Sequence, residues 1–214
     1  MANIQVSSCI TGMIDNNTYC VINKDTNECI ITDPSFNPDV IVNMINESGA
    51  APAAVLLTHG HFDHIMSVDF LREMYHIPAV SYADEKELIT NVSLNHSDKF
   101  GRHKVTVEPD IYVNDGDILN YAGMNIKVIH TPGHTSGSCC FFIDNKPNPI
   151  LLSGDTLFRG THGRTDFETS SYEDMKHSLK RLFELPSNTL VLPGHGSPTT
   201  IEYEKGHNII ISEL

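Results

Sequence analysis

"LLTHGHFDH" (residues 56–64) opens with apolar residues and then sets His59, His61, Asp63 and His64 within six positions. If the stretch were helical, His59 and Asp63 would share a face and His61 would point well away. If it were a plain strand, His59, His61 and Asp63 would align and His64 would face backwards. Neither geometry puts four donors on one ion. A turn directs His59 and His61 at one metal and Asp63 and His64 at a neighbour, so the spacing implies two sites. A single histidine at a strand end is ordinarily exposed or hydrogen-bonded. Three imidazoles and a carboxylate crowded together point to metal chemistry instead.

Three further donors follow apolar runs in the same way: "NIKVIHTPG" leads into His134, "PILLSG" into Asp155 and "TLVLPG" into His195. Loops at strand ends are where a rigid sheet holds functional groups in place. Glycine adjoins most of these positions (Gly60, Gly133, Gly154, Gly194, Gly196), which lets the backbone turn sharply beside an ion. Imidazole and carboxylate donors without a cysteine suit zinc, iron or manganese. Two ions roughly 3.5 to 4 Å apart need a bridging ligand, and a carboxylate such as Asp155 can bridge them. His59, His61 and His134 then fill one site, and Asp63, His64 and His195 the other. The expected cofactor is a pair of divalent ions, zinc first, with iron or manganese as alternatives. His76, His96, His103, His130, His162, His177 and His207 read as ordinary surface or packed histidines, with His130 a candidate support for the site.

The remaining sequence bounds the context. At 214 residues and a net charge of −13, the chain suits one domain over residues 1–214 and has no basic run to meet a phosphate backbone. No stretch approaches the roughly 18 to 20 apolar residues of a spanning helix. "MANIQVSSCITG" lacks the basic start and apolar run of a signal peptide, so a cytoplasmic location is expected. Four of the five cysteines (Cys20, Cys29, Cys139, Cys140) sit in apolar strand-like runs and Cys9 near the start, as buried thiols would.

Strands are predicted at 3–10, 17–23, 28–33, 53–59, 78–83, 104–108, 125–130, 138–144, 148–155 and 188–195. Helices are predicted from Pro38 to Gly49 behind an Asn37 cap, with Val40, Ile41, Met44 and Ile45 as the apolar stripe. Others are expected from about Ile65 to Tyr75, over 84–91, and from Tyr172 to Leu185 behind a Ser171–Asp174 capping box. "TIEYEKGHN" (200–208) reads as the start of a closing helix. Many strands in each half, with helices after the strand blocks, suggest two sheets packed together with helices outside.

With "THGHFDH", "HTPGHT" (130–135), "SGDTLF" (153–158) and "LPGHG" (192–196) in this order, the chain resembles the metallo-β-lactamase fold superfamily. The resemblance implies an α+β class, a four-layer αββα sandwich with metals at one edge of the sheets. "LFRGTHGRTDF" (157–167) and "HGSPTTIEYEK" (195–205) are similar to the small glyoxalase II-like hydrolases. True class B β-lactamases usually place Cys where Asp155 stands, which argues against antibiotic hydrolysis. Full-length glyoxalase II carries a further C-terminal helical region that helps hold glutathione, and only 19 residues follow His195 here.

The implied activity is hydrolysis of a thioester or small ester by a metal-bridging hydroxide, with Asp63 at the catalytic centre and a small molecule as the partner. Neither nucleic acid nor membrane is expected as a partner, and the oligomeric state stays open. "GRTDF" (163–167) also resembles the persulfide dioxygenases, which use one iron, so an oxidoreductase is the alternative, beside lactone or other ester hydrolysis. Arg164 and Asp166 are expected to form a buried pair bracing the loop after Asp155, with contact between Arg164 and an anionic substrate as the alternative. Tyr112, Tyr121 and Phe158 fit core or pocket wall equally.

Overall fold

The computed structural model describes residues 2–101 and 103–214. Its first sheet holds β1 (Ile4–Thr11), β2 (Asn16–Asn23), β3 (Glu28–Thr32), β4 (Ala51–Leu56), β5 (Ala79–Tyr82) and β6 (Ile111–Val113), side by side in sequence order. β1 to β3 form an antiparallel meander, and β3 to β6 then run parallel. The change of direction needs a crossover, which α1 (Pro38–Ser48) supplies between β3 and β4. α2 (Phe62–Ile65), α3 (Val68–Tyr75) and α4 (Lys86–Ile89) follow β4 and β5.

The second sheet contains β7 (Ile118–Tyr121), β8 (Met124–His130), β9 (Cys139–Ile143) and β10 (Ile150–Gly154), again an antiparallel meander. A small hairpin, β11 (Leu157–Phe158) and β12 (Thr161–His162), and the crossover α5 (Tyr172–Leu182) precede β13 (Leu190–Pro193), which lies parallel to β10. β14 (Thr199–Thr200) closes that edge and α6 (Ile201–His207) packs behind it.

The inner strands β2, β3, β5, β9 and β10 are buried on both faces, so they pack side chains to both sides instead of alternating between core and water. Within β3, Ile30 points into the inter-sheet core while Ile31 meets the outer helices. Within β9, Phe141 faces the first sheet and Phe142 faces α5. Ile41 and Ile45 of α1 with Leu71 of α3 cover the first sheet, and Met175, Leu179 and Leu182 of α5 cover the second. The result is the αββα sandwich expected. No described helix is long and apolar enough to cross a membrane.

Several expectations change in detail. Residues 104–108 form no strand: Val107 is buried, but its N–H bonds to the Ile89 carbonyl at the end of α4 and not to a ladder. β7 was not expected; it is an edge strand whose residues are half in water. The helix expected from Ile65 to Tyr75 is broken between α2 and α3. Val40 is exposed, leaving Ile41, Met44 and Ile45 as the buried stripe of α1.

Candidate metal centre

The chain leaves β4 at Leu56, bends at Thr58 and reaches His61 in a β conformation, with φ −62° and ψ 149°. It then makes a single helical turn, α2, which carries Asp63 and His64. That mixture of extended chain and one turn resolves the spacing problem of "HGHFDH", for it sends all four donors inward. The loop after β8 brings His134, the end of β10 brings Asp155, and the end of β13 brings His195. Two glycines permit the approach of these last strand ends. Gly154 is left-handed at φ +48°, and a Cβ on Gly194 would strike Asp155 and His64.

All seven predicted donors meet at this edge. Among the described residues, three overlapping triads keep their donor atoms within 4.8 Å of one another: His59–His61–His134, His59–His64–Asp155 and Asp63–His64–His195. Asp155 sits between the outer two, with Oδ1 3.5 Å from His64 and Oδ2 3.6 Å from His134 and 3.5 Å from His195. Asp63 lies 3.2 Å from Nε2 of His195 and 3.4 Å from Nε2 of His64.

Four imidazoles are anchored through Nδ1, which leaves Nε2 turned inward. His59 donates to the Thr58 hydroxyl (3.2 Å), His64 to Asp33 (3.1 Å), His134 to the Arg164 carbonyl (2.8 Å) and His195 to the Ile14 carbonyl (3.0 Å). Outer hydrogen bonds of this kind fix tautomer and ring direction in metal-binding histidines. In His61 it is Nδ1 that faces His134 Nε2, 2.9 Å away. His59 Nε2, His61 Nε2 and Asp155 Oδ1 are buried without a hydrogen-bond partner among the described residues. Leaving such atoms unsatisfied is costly, and a divalent cation would satisfy His59 Nε2 and Asp155 Oδ1, whose residues share a triad. The donor set therefore fits divalent metal.

The electrostatics agree. Burial, followed by the neighbouring imidazoles, holds His59 and His61 well below the ordinary histidine range. They stay neutral and able to ligate. Burial also opposes a charge on His64, yet Asp63, Asp155 and Asp33 outweigh it and carry His64 up to about 10. Burial alone would raise Asp63; His64 and His195 instead hold it far below the carboxylate range.

A family pattern described as the Metallo-beta-lactamase superfamily matches residues 13–195. The chain belongs to the metallo-β-lactamase superfamily. Within that superfamily it is 38% identical over 199 residues to "Probable metallo-hydrolase YqgX" of Bacillus subtilis (strain 168), covering 92% of each chain. It is 31% identical to "Hydroxyacylglutathione hydrolase GloC" of Haemophilus influenzae, covering 86% of this chain and 87% of that one. Among solved structures it is similar to the BLEG-1 B3 metallo-beta-lactamase, with a TM-score of 0.90, 32% identity and coverage of 97% and 100%. It also matches TTHA1623 in a di-iron-bound form, at a TM-score of 0.83, 29% identity and coverage of 95% and 99%. The chain is a metallo-hydrolase of this superfamily.

Several supporting residues escaped the sequence reading. Asp33 accepts from the Thr58 N–H (2.8 Å), the Thr58 hydroxyl (2.6 Å) and His64, tying the end of β3 to the ligand loop. Its signal was present: an acidic residue closing an apolar strand, as Asp155 does. Fully buried Glu85 accepts from the Gly60 N–H (2.8 Å) and the Thr135 hydroxyl (2.9 Å), joining the loops of His61 and His134. His96, read as an ordinary histidine, is buried in a left-handed conformation (φ 64°) and lies nearly parallel to the His61 ring, 5.3 Å away.

Two expected details are corrected. Arg164 and Asp166 do pair, Nε to Oδ1 at 2.6 Å, but both are exposed, so the pair is not a buried brace. His130 stacks on Tyr82 and bonds to the Ser136 carbonyl and so does not support a ligand. Phe158 lines the cavity above the donors; Tyr121 packs against the inter-sheet core, and Tyr112 bonds to Glu108.

Proposed function

We propose that the protein is a binuclear metallo-hydrolase that cleaves a thioester or small ester. The observation that carries this reading is the overlap of the three triads: seven donors are more than one ion needs, and Asp155 lies between the outer groups. His59, His61 and His134 would hold one ion and Asp63, His64 and His195 the other, with Asp155 shared. Imidazole and carboxylate donors without cysteine suit zinc first and iron or manganese next. Bound ions would polarise the carbonyl as Lewis acids and lower the pKa of water to about 7.

The chain's own residues do the rest. Asp63, held ionised by His64 and His195, stays a charged donor for the ion it would share with them. The Nδ1 anchors keep four imidazoles from rotating as charge develops, which is the benefit of a preorganised site. No serine or cysteine nucleophile is required. The likeness to a hydroxyacylglutathione hydrolase supports a thioester, and the small-ester range follows from the same carbonyl chemistry.

A second reading is favoured by one finding. The similarity to a protein described as a B3 metallo-beta-lactamase keeps β-lactam hydrolysis among the candidates, despite Asp155 standing where cysteine was the usual lactamase residue. The test is to strip the protein with chelator, restore zinc or ferrous iron separately, and assay a lactoyl thioester, a chromogenic β-lactam and a persulfide with an oxygen electrode. Metal-restored thioester hydrolysis without oxygen uptake is expected. Oxygen consumption on the persulfide, or β-lactam turnover with an inert thioester, would overturn the proposal.

A further inference from the structure

The cavity above the donors has a volume of about 590 Å³, within the range of small-molecule sites. Its wall is unlike its floor. Phe167 stands against the His61–His134 side, its ring 5.1 Å from His61 and 5.9 Å from His134. Phe158 stands against the other side, 6.1 Å from His195. Phe62 and Phe100 close a third wall, 6.4 Å apart. Met13 and Ile14, in the turn between β1 and β2, complete the rim.

Three of these side chains are open to solvent: Met13 is 59% exposed, Ile14 52% and Phe100 58%. Exposed large apolar side chains gathered around one cavity mark a binding surface, whereas the same residues scattered singly would mean nothing. Among the described lining residues Arg164 is the one permanent cation, and its guanidinium is already engaged. It is held by both carboxylate oxygens of Asp166, at 2.6 and 2.7 Å, and stacks over Phe167 at 4.3 Å. Its flat face therefore extends the apolar wall.

We infer that the substrate carries an uncharged, apolar alkyl or aromatic group beside the scissile carbonyl, seated among Phe62, Phe100, Phe158 and Phe167. This rests on the hydrolytic reading above and narrows it. The selectivity is against zwitterionic peptide thiols and polyanionic nucleotide thiols, which would find few unpaired cations on this wall. Each methylene entering the cavity removes its surface from water and improves affinity by about fourfold until the space is filled.

Two series test the inference. The first measures kcat/KM on acyl thioesters of one small neutral thiol, from acetyl to octanoyl, and on a benzoyl form, beside a glutathione thioester. The second measures Kd by calorimetry for matching non-hydrolysable thioethers, which needs no turnover. Rising kcat/KM and falling Kd with chain length, with a negative heat-capacity change, are expected. Phe100→Ala should flatten the chain-length trend in both series, and Phe100→Leu should restore most of it.

A flat trend in both series, or a glutathione thioester preferred over its neutral counterparts, overturns the inference while leaving thioester hydrolysis standing. Chain-length-dependent thioether binding without turnover of any thioester has the opposite meaning: the apolar site holds and the assigned reaction fails.

Discussion

The two sheets contribute to the centre in opposite styles. The first supplies four donors from one short segment, His59 to His64, between β4 and α3. The second supplies three donors from three strand ends separated by tens of residues, His134, Asp155 and His195. A clustered source is positioned by local geometry, an extended stretch followed by one helical turn. A dispersed source is positioned only when β8, β10 and β13 take their register. The first half could hold part of a site by itself; the second half decides whether the two metal groups become one centre.

Asp155 is where that comparison can be broken most sharply, because it approaches donors from both sources. Asp155→Ala should lower turnover by roughly 10³-fold, the scale of several kcal/mol of lost charge stabilisation. Metal content measured on the same preparation should fall as well. Undiminished turnover with reduced metal would mean that Asp155 does not link the two groups in the reaction.

Glu85 joins the styles through backbone and hydroxyl contacts instead of through metal. Burial carries its carboxyl up to about 7, against the opposing effect of the Gly60, Thr135 and Gly137 hydrogen bonds. A carboxyl raised in the folded state contributes its stability fully below the unfolded pKa, near 4.5. That contribution is lost as pH climbs to 7, because the unfolded chain sheds the proton first. The full shift corresponds to about 3 kcal/mol. In the metal-free protein, the stability difference between wild type and Glu85→Gln should therefore move toward the variant between pH 4.5 and 7 and level off above. Urea titrations across that range measure it, and a pH-independent difference would show that Glu85 stays ionised.

Asp33 tests how the clustered source is held. Asp33→Asn places an amide N–H against donors that now meet a carboxylate, loosening both Thr58 and His64. Loss of such an outer partner typically costs 10- to 100-fold in metal affinity. Since Asp33 is among the groups that keep His64 protonated, metal uptake near pH 7.5 should release fewer protons in the variant. Calorimetry in two buffers of different ionisation enthalpy gives both quantities.

The same contrast explains what the sequence could show. All seven donors were legible because apolar runs lead into the four turns that carry them, and because glycines flank most of those turns. The layers were legible because strands covered on both faces must be continuously apolar, as at Ile30 and Ile31. β7 was not, since Ile118 to Tyr121 is a half-wet edge whose alternation is weak. Residues 104–108 have the alternation of a strand, but Val105 and Val107 pack against the outer core without a ladder partner. Glu85 and His96 carry no local signature: their significance comes from Gly60, Thr135 and His61, which the fold alone brings to them.

The crossover helices extend the comparison to its smallest effect. Each lets its sheet change from antiparallel to parallel pairing, α1 in the first and α5 in the second. They begin differently. Ser171 accepts the Asp174 N–H at 3.3 Å, and its own N–H donates to the Gly133 carbonyl, one residue from His134. Asn37 is left-handed at φ 59° and makes no side-chain cap, leaving Pro38 to start α1 by its fixed backbone angle. Ser171→Ala should accordingly cost about 1 kcal/mol, whereas Asn37→Gly should stay within about 0.5 kcal/mol of wild type. Equilibrium urea unfolding of the metal-free variants checks both. Equal losses would mean that the two crossovers are held by packing alone; the unequal losses expected here would locate the hydrogen-bonded start in the half whose donors depend on strand register.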